Sequence, residues 1–205
     1  MIIKIAVLIS GRGSNMESLL NKSHENKLDI EFIVISDNPN AEGLLIAERM
    51  GVRAIVLKES IKGCKLNEEN ANEIERIIEE NNIYLMLLAG FMRIIPNKLI
   101  KKYPMKFINI HPSLLPSFKG KEAQKDAFDY GVKVTGVTVH FVDNELDHGP
   151  IILQEAVRID ENENLEQLEK KIHEAEHKIY PLAVKYFCKD ELKIIGRKVI
   201  IKERS

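Results

Sequence analysis

Apolar positions along the first half of the chain change period again and again. Ile2–Ile9 is a β-branched apolar run broken only by Lys4, the pattern of a strand buried on both faces. Gly11 and Gly13 interrupt it, and a helix is expected to start over Asn15–Asn21. Glu31–Ser36 predicts a second strand, stopped by Asp37-Asn38-Pro39-Asn40. Ala41–Met50, apolar at 44, 45 and 47, predicts a helix, and Arg53–Leu57 a short strand. In Leu66–Asn81 the isoleucines 74, 77 and 78 share one face and glutamates the other. Ile83–Ala89, nearly all apolar, then reads as a central strand. Alternation of this kind predicts a Rossmann-like α/β fold: a mostly parallel, twisted sheet with right-handed crossovers and helices on both faces. Ligands of such sheets sit beyond the carboxyl ends of the strands, so chemistry is expected in the loops after Ile9, Ala89 and Ile110.

The second half changes character. Lys106–Ile110 predicts a strand, His111 to Lys119 a proline-punctuated loop, and Gly120–Tyr130 a short helix. Lys133–Val142 alternates as a strand, and Gly149-Pro150 turns the chain into another, Ile151–Ile159. Leu165–Phe187 is a long helix with Leu165, Leu168, Ile172, Ala175, Ile179 and Leu182 in one stripe, which Pro181 is expected to kink or end. Leu192–Ile201 reads as a hairpin over Gly196. No repeat or linker is visible, and residues 1–205 are expected to form one domain.

Composition narrows the classes. The 205 residues are 44% hydrophobic and 30% charged, a globular balance with enough chain for a core without staples. Thirty basic against 31 acidic residues give a net charge of −1, which argues against a polycation built for nucleic acid. Ile83 to Met92, the most apolar stretch, is shorter than the roughly 20 residues that cross a bilayer. Ile5–Ile9 lacks the basic leader and cleavage site of a signal segment. Two cysteines, Cys64 and Cys188, suit free thiols in a reducing compartment, so a cytoplasmic location is expected.

Three segments carry candidate chemistry. Ser10-Gly11-Arg12-Gly13-Ser14-Asn15 lies between a strand and a helix, where glycines let an anion approach the backbone and the helix N-terminus points N–H groups at it. Neither a dinucleotide fingerprint nor a Walker A motif fits, so a phosphate monoester is favoured over a dinucleotide, beside a plain tight turn capped by Ser14. In Asn109-Ile110-His111-Pro112, residues two apart project to the same side of a strand, and Pro112 keeps His111 extended at the sheet's carboxyl edge. There an imidazole can exchange protons while an amide donates to a developing oxyanion. Asp147, in Leu146-Asp147-His148-Gly149-Pro150, reads either as a turn residue or as a carboxylate that supports an imidazolium. His173-Glu174-Ala175-Glu176-His177 matches H-E-x-x-H, but a third ligand is not evident and a polar helix flank is the better reading than zinc. Phe91–Pro96 suits either core packing at a strand exit or the wall of a flat heterocycle pocket.

Taken together, SGRGSN, AGFMRII, NIHPSLLPSF, TGVTVHFVDNELDHGPIILQ and AEHKIYP resemble the glycinamide ribonucleotide formyltransferases, in order, from about Ile3 to Phe187. The resemblance implies formyl transfer from 10-formyltetrahydrofolate, a co-substrate, to the amine of 5'-phosphoribosylglycinamide in purine synthesis, with no metal. It implies that Gly13, Ser14 and Asn15 hold the substrate phosphate, that Glu176 binds the glycinamide end or ribose, and that Asn109, His111 and Asp147 are catalytic. It further implies a folate pocket bordered by Met92, Arg93, Ile94 and Ile95, by Asn109, and by the loop from Val142 to Asp147. Partners would be small molecules, with neither nucleic acid nor membrane, and the chain a monomer or homodimer.

The sequence departs from the family in two places. Gly120-Lys121-Glu122-Ala123-Gln124 lacks the two histidines of a Gly-Leu-His-x-His segment. No folate-reaching arginine occurs in Lys62–Asn67, where Lys62 or Lys65 could substitute. NIHPSLLP also occurs in formyltetrahydrofolate deformylases and methionyl-tRNA formyltransferases. A deformylase is therefore the alternative, followed by a zinc hydrolase on His173 and His177 and by a non-enzymatic phosphate-binding module.

Overall fold

A computed structural model describes residues 2–25, 28–58 and 63–202. The chain divides into two compact units, Met1–Ile108 and Asn109–Ser205.

The first unit contains β1 (Ile3–Ile9), α1 (Ser14–Glu25), β2 (Ile30–Ser36), α2 (Glu42–Arg49), β3 (Arg53–Val56), α3 (Glu68–Glu80), β4 (Leu85–Leu88) and α4 (Asn97–Lys102). β5 (Phe107–His111) begins in it and ends in the second. Parallel pairs give the order β3-β2-β1-β4. Ile5 to Ile9 are without exception inaccessible, and since successive side chains of a strand point to opposite faces, both faces of β1 are covered. The apolar runs therefore became parallel core strands. On α3 the expected face, Ile74, Ile77 and Ile78, is buried, and Asn67 caps the helix by accepting the Asn70 N–H at 2.7 Å. Helix α4 was not expected: six residues after Pro96 hold too little periodic pattern to register.

The second unit holds α5 (Ala123–Tyr130), β6 (Val134–Phe141), β7 (Ile151–Arg158), α6 (Leu165–Cys188), β8 (Leu192–Ile195) and β9 (Lys198–Ile201). β6 and β7 are antiparallel, β9 touches β7 in parallel at Ile151↔Lys198, and β8 and β9 form the expected hairpin. Gly196 takes a φ of +60° at the first position of the hairpin's two-residue turn, a conformation glycine adopts without penalty. A reciprocal capping box of Asn164 and Gln167, both bonds 2.9 Å, starts α6. The helix continues through Pro181 to Cys188, so the proline does not end it. Its buried stripe runs over Leu168, Ile172, Ala175 and Ile179 to Ala183 and Val184, while Leu182 is only half-buried.

Candidate active site

In the first unit the strand order reverses beside β1, between its neighbours β2 and β4, which makes the exits of β1 and β4 the natural crevice. The loops leaving those strands are tied together. The Ser10 N–H donates to the Gly90 carbonyl at 3.2 Å, and Ser10 Oγ accepts the Met92 N–H at 2.8 Å. Helix α1 starts at Ser14, with the Glu17 N–H donating to the Gly13 carbonyl, so the N–H groups ahead of it lie outside the helix's own ladder and face the loop. Gly13 has a φ of +81°, and a Cβ built there would meet the Gly43 Cα at 2.6 Å. The glycine thus permits a backbone-on-backbone approach to α2 as well as the turn. Ser14 and Asn15 are half-buried at this helix start.

After β4, Met92 and Ile94 are exposed, whereas Ile95 is buried and its side chain belongs to the core. Arg93 turns back on its own unit. Its Nε donates to the inaccessible Asp37 carboxylate at 2.5 Å, and its Nη1 to the Gly63 carbonyl. The side chain therefore ties the exits of β2 and β4 to the 63–65 segment, where Lys65 bridges Ile94 in parallel register. Lys62 lies outside the described residues.

The second unit brings Asn109, His111 and Asp147 together. His111 is buried at the end of β5, one residue further along the strand than expected. Its Nδ1 lies 3.5 Å from Asp147 Oδ2, and its Nε2 donates to the Phe118 carbonyl at 2.9 Å. Both ring nitrogens thus face oxygen atoms, one of a carboxylate and one of a backbone carbonyl. Asp147 Oδ2 also accepts the Gly120 N–H at 2.9 Å, and its own backbone is left-handed, with a φ of +47°. The intervening loop is anchored on the sheet. Thr138 Oγ1 donates to the Ser113 carbonyl at 2.7 Å and accepts the Leu115 N–H at 3.0 Å, while Gln154 Nε2 donates to the Leu115 carbonyl.

Asn109 has a partner that sequence reasoning missed. Its Nδ2 lies 3.3 Å from His140 Nε2, and His140 Nδ1 is 2.9 Å from the Phe141 carbonyl. A carbonyl can only accept, so the proton sits on Nδ1 and Nε2 accepts from the amide. Burial pushes the His140 pKa below its ordinary value, partly opposed by the Phe141 carbonyl and the Asp147 charge. A neutral His140 therefore fixes which end of the Asn109 amide is the donor. A register shift between Val139 and His140 in the β6–β7 pairing accompanies this placement. In sequence His140 was a lone histidine on an alternating strand, and the bulge gave no signal.

Glu176 is buried on α6 and accepts from His173 Nδ1 at 2.8 Å. The His173 and His177 rings stack at 6.4 Å, and among the described residues no cluster of three or more His, Cys, Asp or Glu side chains is arranged to hold a metal. Val142 and Asp143 begin the loop that ends at Asp147. There Asp143 accepts the Glu145 N–H at 3.0 Å and His148 Nδ1 at 2.8 Å.

A loop-bound imidazole beside a carboxylate and an oriented amide, at the end of a strand in a Rossmann-like fold, defines an acyl-transfer type of site. Residues 3–184 match the family described as "Formyl transferase", and the chain belongs to that family. It is 41% identical over 186 residues to phosphoribosylglycinamide formyltransferase of Bacillus subtilis, covering 89% of this chain and 93% of that one. It is 44% identical over 183 residues to the trifunctional purine biosynthetic protein adenosine-3 of Gallus gallus, of whose length it spans 18%. The structure of glycinamide ribonucleotide transformylase 1 from Symbiobacterium toebii superimposes with a TM-score of 0.92 at 39% identity, over 98% of this chain and 95% of that one. The fold is thus the mostly parallel α/β formyltransferase fold expected from the sequence.

Proposed function

We propose that this chain transfers the formyl group of 10-formyltetrahydrofolate to the amine of 5'-phosphoribosylglycinamide, a step of purine biosynthesis. The observation that carries this reading is the 41% identity to the Bacillus subtilis formyltransferase over 93% of that enzyme's length. The unbroken family match over residues 3–184, which runs through both compact units, supports one formyltransferase domain. Gly13, Ser14 and Asn15 receive the substrate phosphate, and Glu176 the glycinamide end or ribose. Met92, Ile94 and the Val142–Asp147 loop border the folate. Arg93 acts there by holding loops, because its guanidinium is engaged with Asp37 and Gly63.

In the reaction the amine attacks the formyl carbon, a C–N bond forms, and the carbonyl oxygen becomes an oxyanion. Asn109 donates from the amide nitrogen that His140 orients. His111 donates from Nε2 once that nitrogen exchanges the Phe118 carbonyl for the oxyanion. Asp147 supports the imidazolium that this donation requires. The amine gives up a proton, the folate nitrogen gains one, and the bond from carbon to folate nitrogen breaks. No covalent intermediate with the protein is needed. The reactants are small molecules.

Among the described residues no helix is long and apolar enough to cross a membrane. The free thiols Cys64 and Cys188 support a reducing, cytoplasmic setting. The test is to follow tetrahydrofolate release from 10-formyltetrahydrofolate. Release that requires the phosphorylated amine is expected; rapid hydrolysis to formate without acceptor would establish the deformylase alternative instead.

A further inference from the structure

The carboxyl-terminal hairpin lies beyond the part of the chain that the family match covers, which ends at residue 184. Its place is nonetheless set against the candidate site. Lys198 of β9 registers with Ile151 of β7, only three residues after His148. That register brings the hairpin turn, Gly196-Arg197, beside the loop that ends in Asp147. The hairpin is closed at its base by the Lys202 N–H on the Glu191 carbonyl, and Lys202 Nζ also reaches the Asp190 carbonyl and carboxylate. Arg197 then makes a fork. Its Nη2 donates to the His148 carbonyl at 2.5 Å, and its Nη1 lies against the His148 ring, 3.1 Å from Nε2 and 3.3 Å from Nδ1. His148 Nδ1 donates in turn to Asp143, whose other oxygen accepts the Glu145 N–H. Both ends of the loop are thus joined through one imidazole that the arginine backs. Gly149 pins the exit, since a Cβ there would fall 1.8 Å from the Phe141 carbonyl oxygen.

The support bears on Asp147. Its φ of +47° is left-handed, a conformation uncommon for side-chain-bearing residues though aspartate adopts it more readily than most. One support is the Gly120 N–H on its carboxylate; the other is the fixed His148 that follows it. We infer that Arg197 is a positioning residue: from the carboxyl-terminal hairpin it braces the Asp143–His148 loop, and through it the Asp147 carboxylate and the folate side of the site. The functional half of this inference rests on the transfer reading above, while the bracing itself does not.

The test uses the intact chain with Arg197→Ala, Arg197→Lys, His148→Ala and the Arg197→Ala/His148→Ala double variant. Amide hydrogen exchange over residues 142–148 is expected to quicken about tenfold in Arg197→Ala, with the rest of the second unit unchanged. The KM for 10-formyltetrahydrofolate is expected to rise about three- to tenfold, that for the phosphorylated amine to stay constant, and the double variant to match the worse single one. Arg197→Lys, which keeps the charge but not the fork, should recover part of the loss. Unchanged exchange in the loop overturns the brace, as does faster exchange throughout the unit, which would make Arg197 a general stabiliser. Faster loop exchange with an unchanged KM overturns its role in the site. If the wild-type chain does not transfer formyl at all, the transfer reading fails and the exchange measurement still decides the bracing.

Discussion

His140 offers a perturbation whose sign and size follow from the geometry. Replacing it by Leu removes the acceptor for Asn109 Nδ2 and the donor to the Phe141 carbonyl. One part-buried and one buried hydrogen bond at about 1 kcal/mol each, plus the cost of leaving their partners unpaired, give a loss of about 2–4 kcal/mol at pH 7.5. The pH dependence is the sharper part. Burial lowers the His140 pKa below 6.5, so below pH 6.5 the unfolded chain binds a proton that the folded chain refuses. Wild-type stability from this residue is complete above pH 6.5 and falls below it by at most about 1.4 kcal/mol per pH unit. The charges of His111, Asp143 and Asp147 act on the same ring, and all three groups are present in both proteins, so the difference between the two curves isolates His140 to first order. The gap between wild type and His140→Leu should therefore narrow on acidification, by as much as about 2 kcal/mol at pH 5. Urea denaturation followed by circular dichroism at pH 7.5, 6.0 and 5.0 measures it. Parallel pH curves would refute the neutral buried histidine. The same variant should lower kcat by up to about 10²–10³, the cost of a lost oxyanion donor, because Asn109 is no longer oriented.

Asp147→Asn should lower kcat by about two to three orders of magnitude with both ligands still bound, and combining it with His111→Ala should add little, since the two act as a unit; steady-state kinetics and calorimetric titration check both parts. Ser14→Ala should raise the KM for the phosphorylated amine about tenfold, the worth of one charge-assisted hydrogen bond, and leave the folate KM unchanged. Prolonged chelation should leave turnover intact, whereas His173→Ala, which removes one hydrogen bond from buried Glu176, should raise the amine KM a few-fold; a stoichiometric zinc lost together with activity would revive the H-E-x-x-H reading.

Elements with long-range periodicity were legible in the sequence. The apolar runs of β1, β2 and β4, the amphipathic α3 and the hairpin over Gly196 came out within a few residues of the expected bounds. Short elements and tertiary choices were not. Helix α4 has six residues, too few for a period, and Pro181 has a helix-breaking propensity that a buried position in a 24-residue helix overrides. The candidate site divides along the same line. Asn109 and His111 were legible because strand alternation puts them on one side, and Asp147 because its loop reads as part of a known pattern. His140 and Arg197 act through contacts between residues far apart in the chain, and Phe118 through a backbone carbonyl that any residue would supply, and a one-dimensional pattern carries no trace of either.

Gly13 shows how a motif can suggest the wrong experiment. Read in sequence, its lack of a side chain serves the phosphate, which makes Gly13→Val look like a clean test of substrate binding. In the structure the same absence is used on the protein's own side: a Cβ would fall 2.6 Å from the Gly43 Cα, and Gly43 in turn has no room because of Ile9 and Gly13. The Gly43 N–H donates to the Gly11 carbonyl at 3.0 Å, so the loop and the start of α2 are one packed piece. A branched side chain would meet rigid backbone there and would also be strained by the φ of +81°. The variant would displace α2 before it touched a phosphate, and a loss of binding would not separate the two causes. Ser14 lies next to the same turn but is half-buried and carries a hydroxyl that can be removed without adding volume. For this loop a deletion of atoms is therefore the informative change and an addition is not.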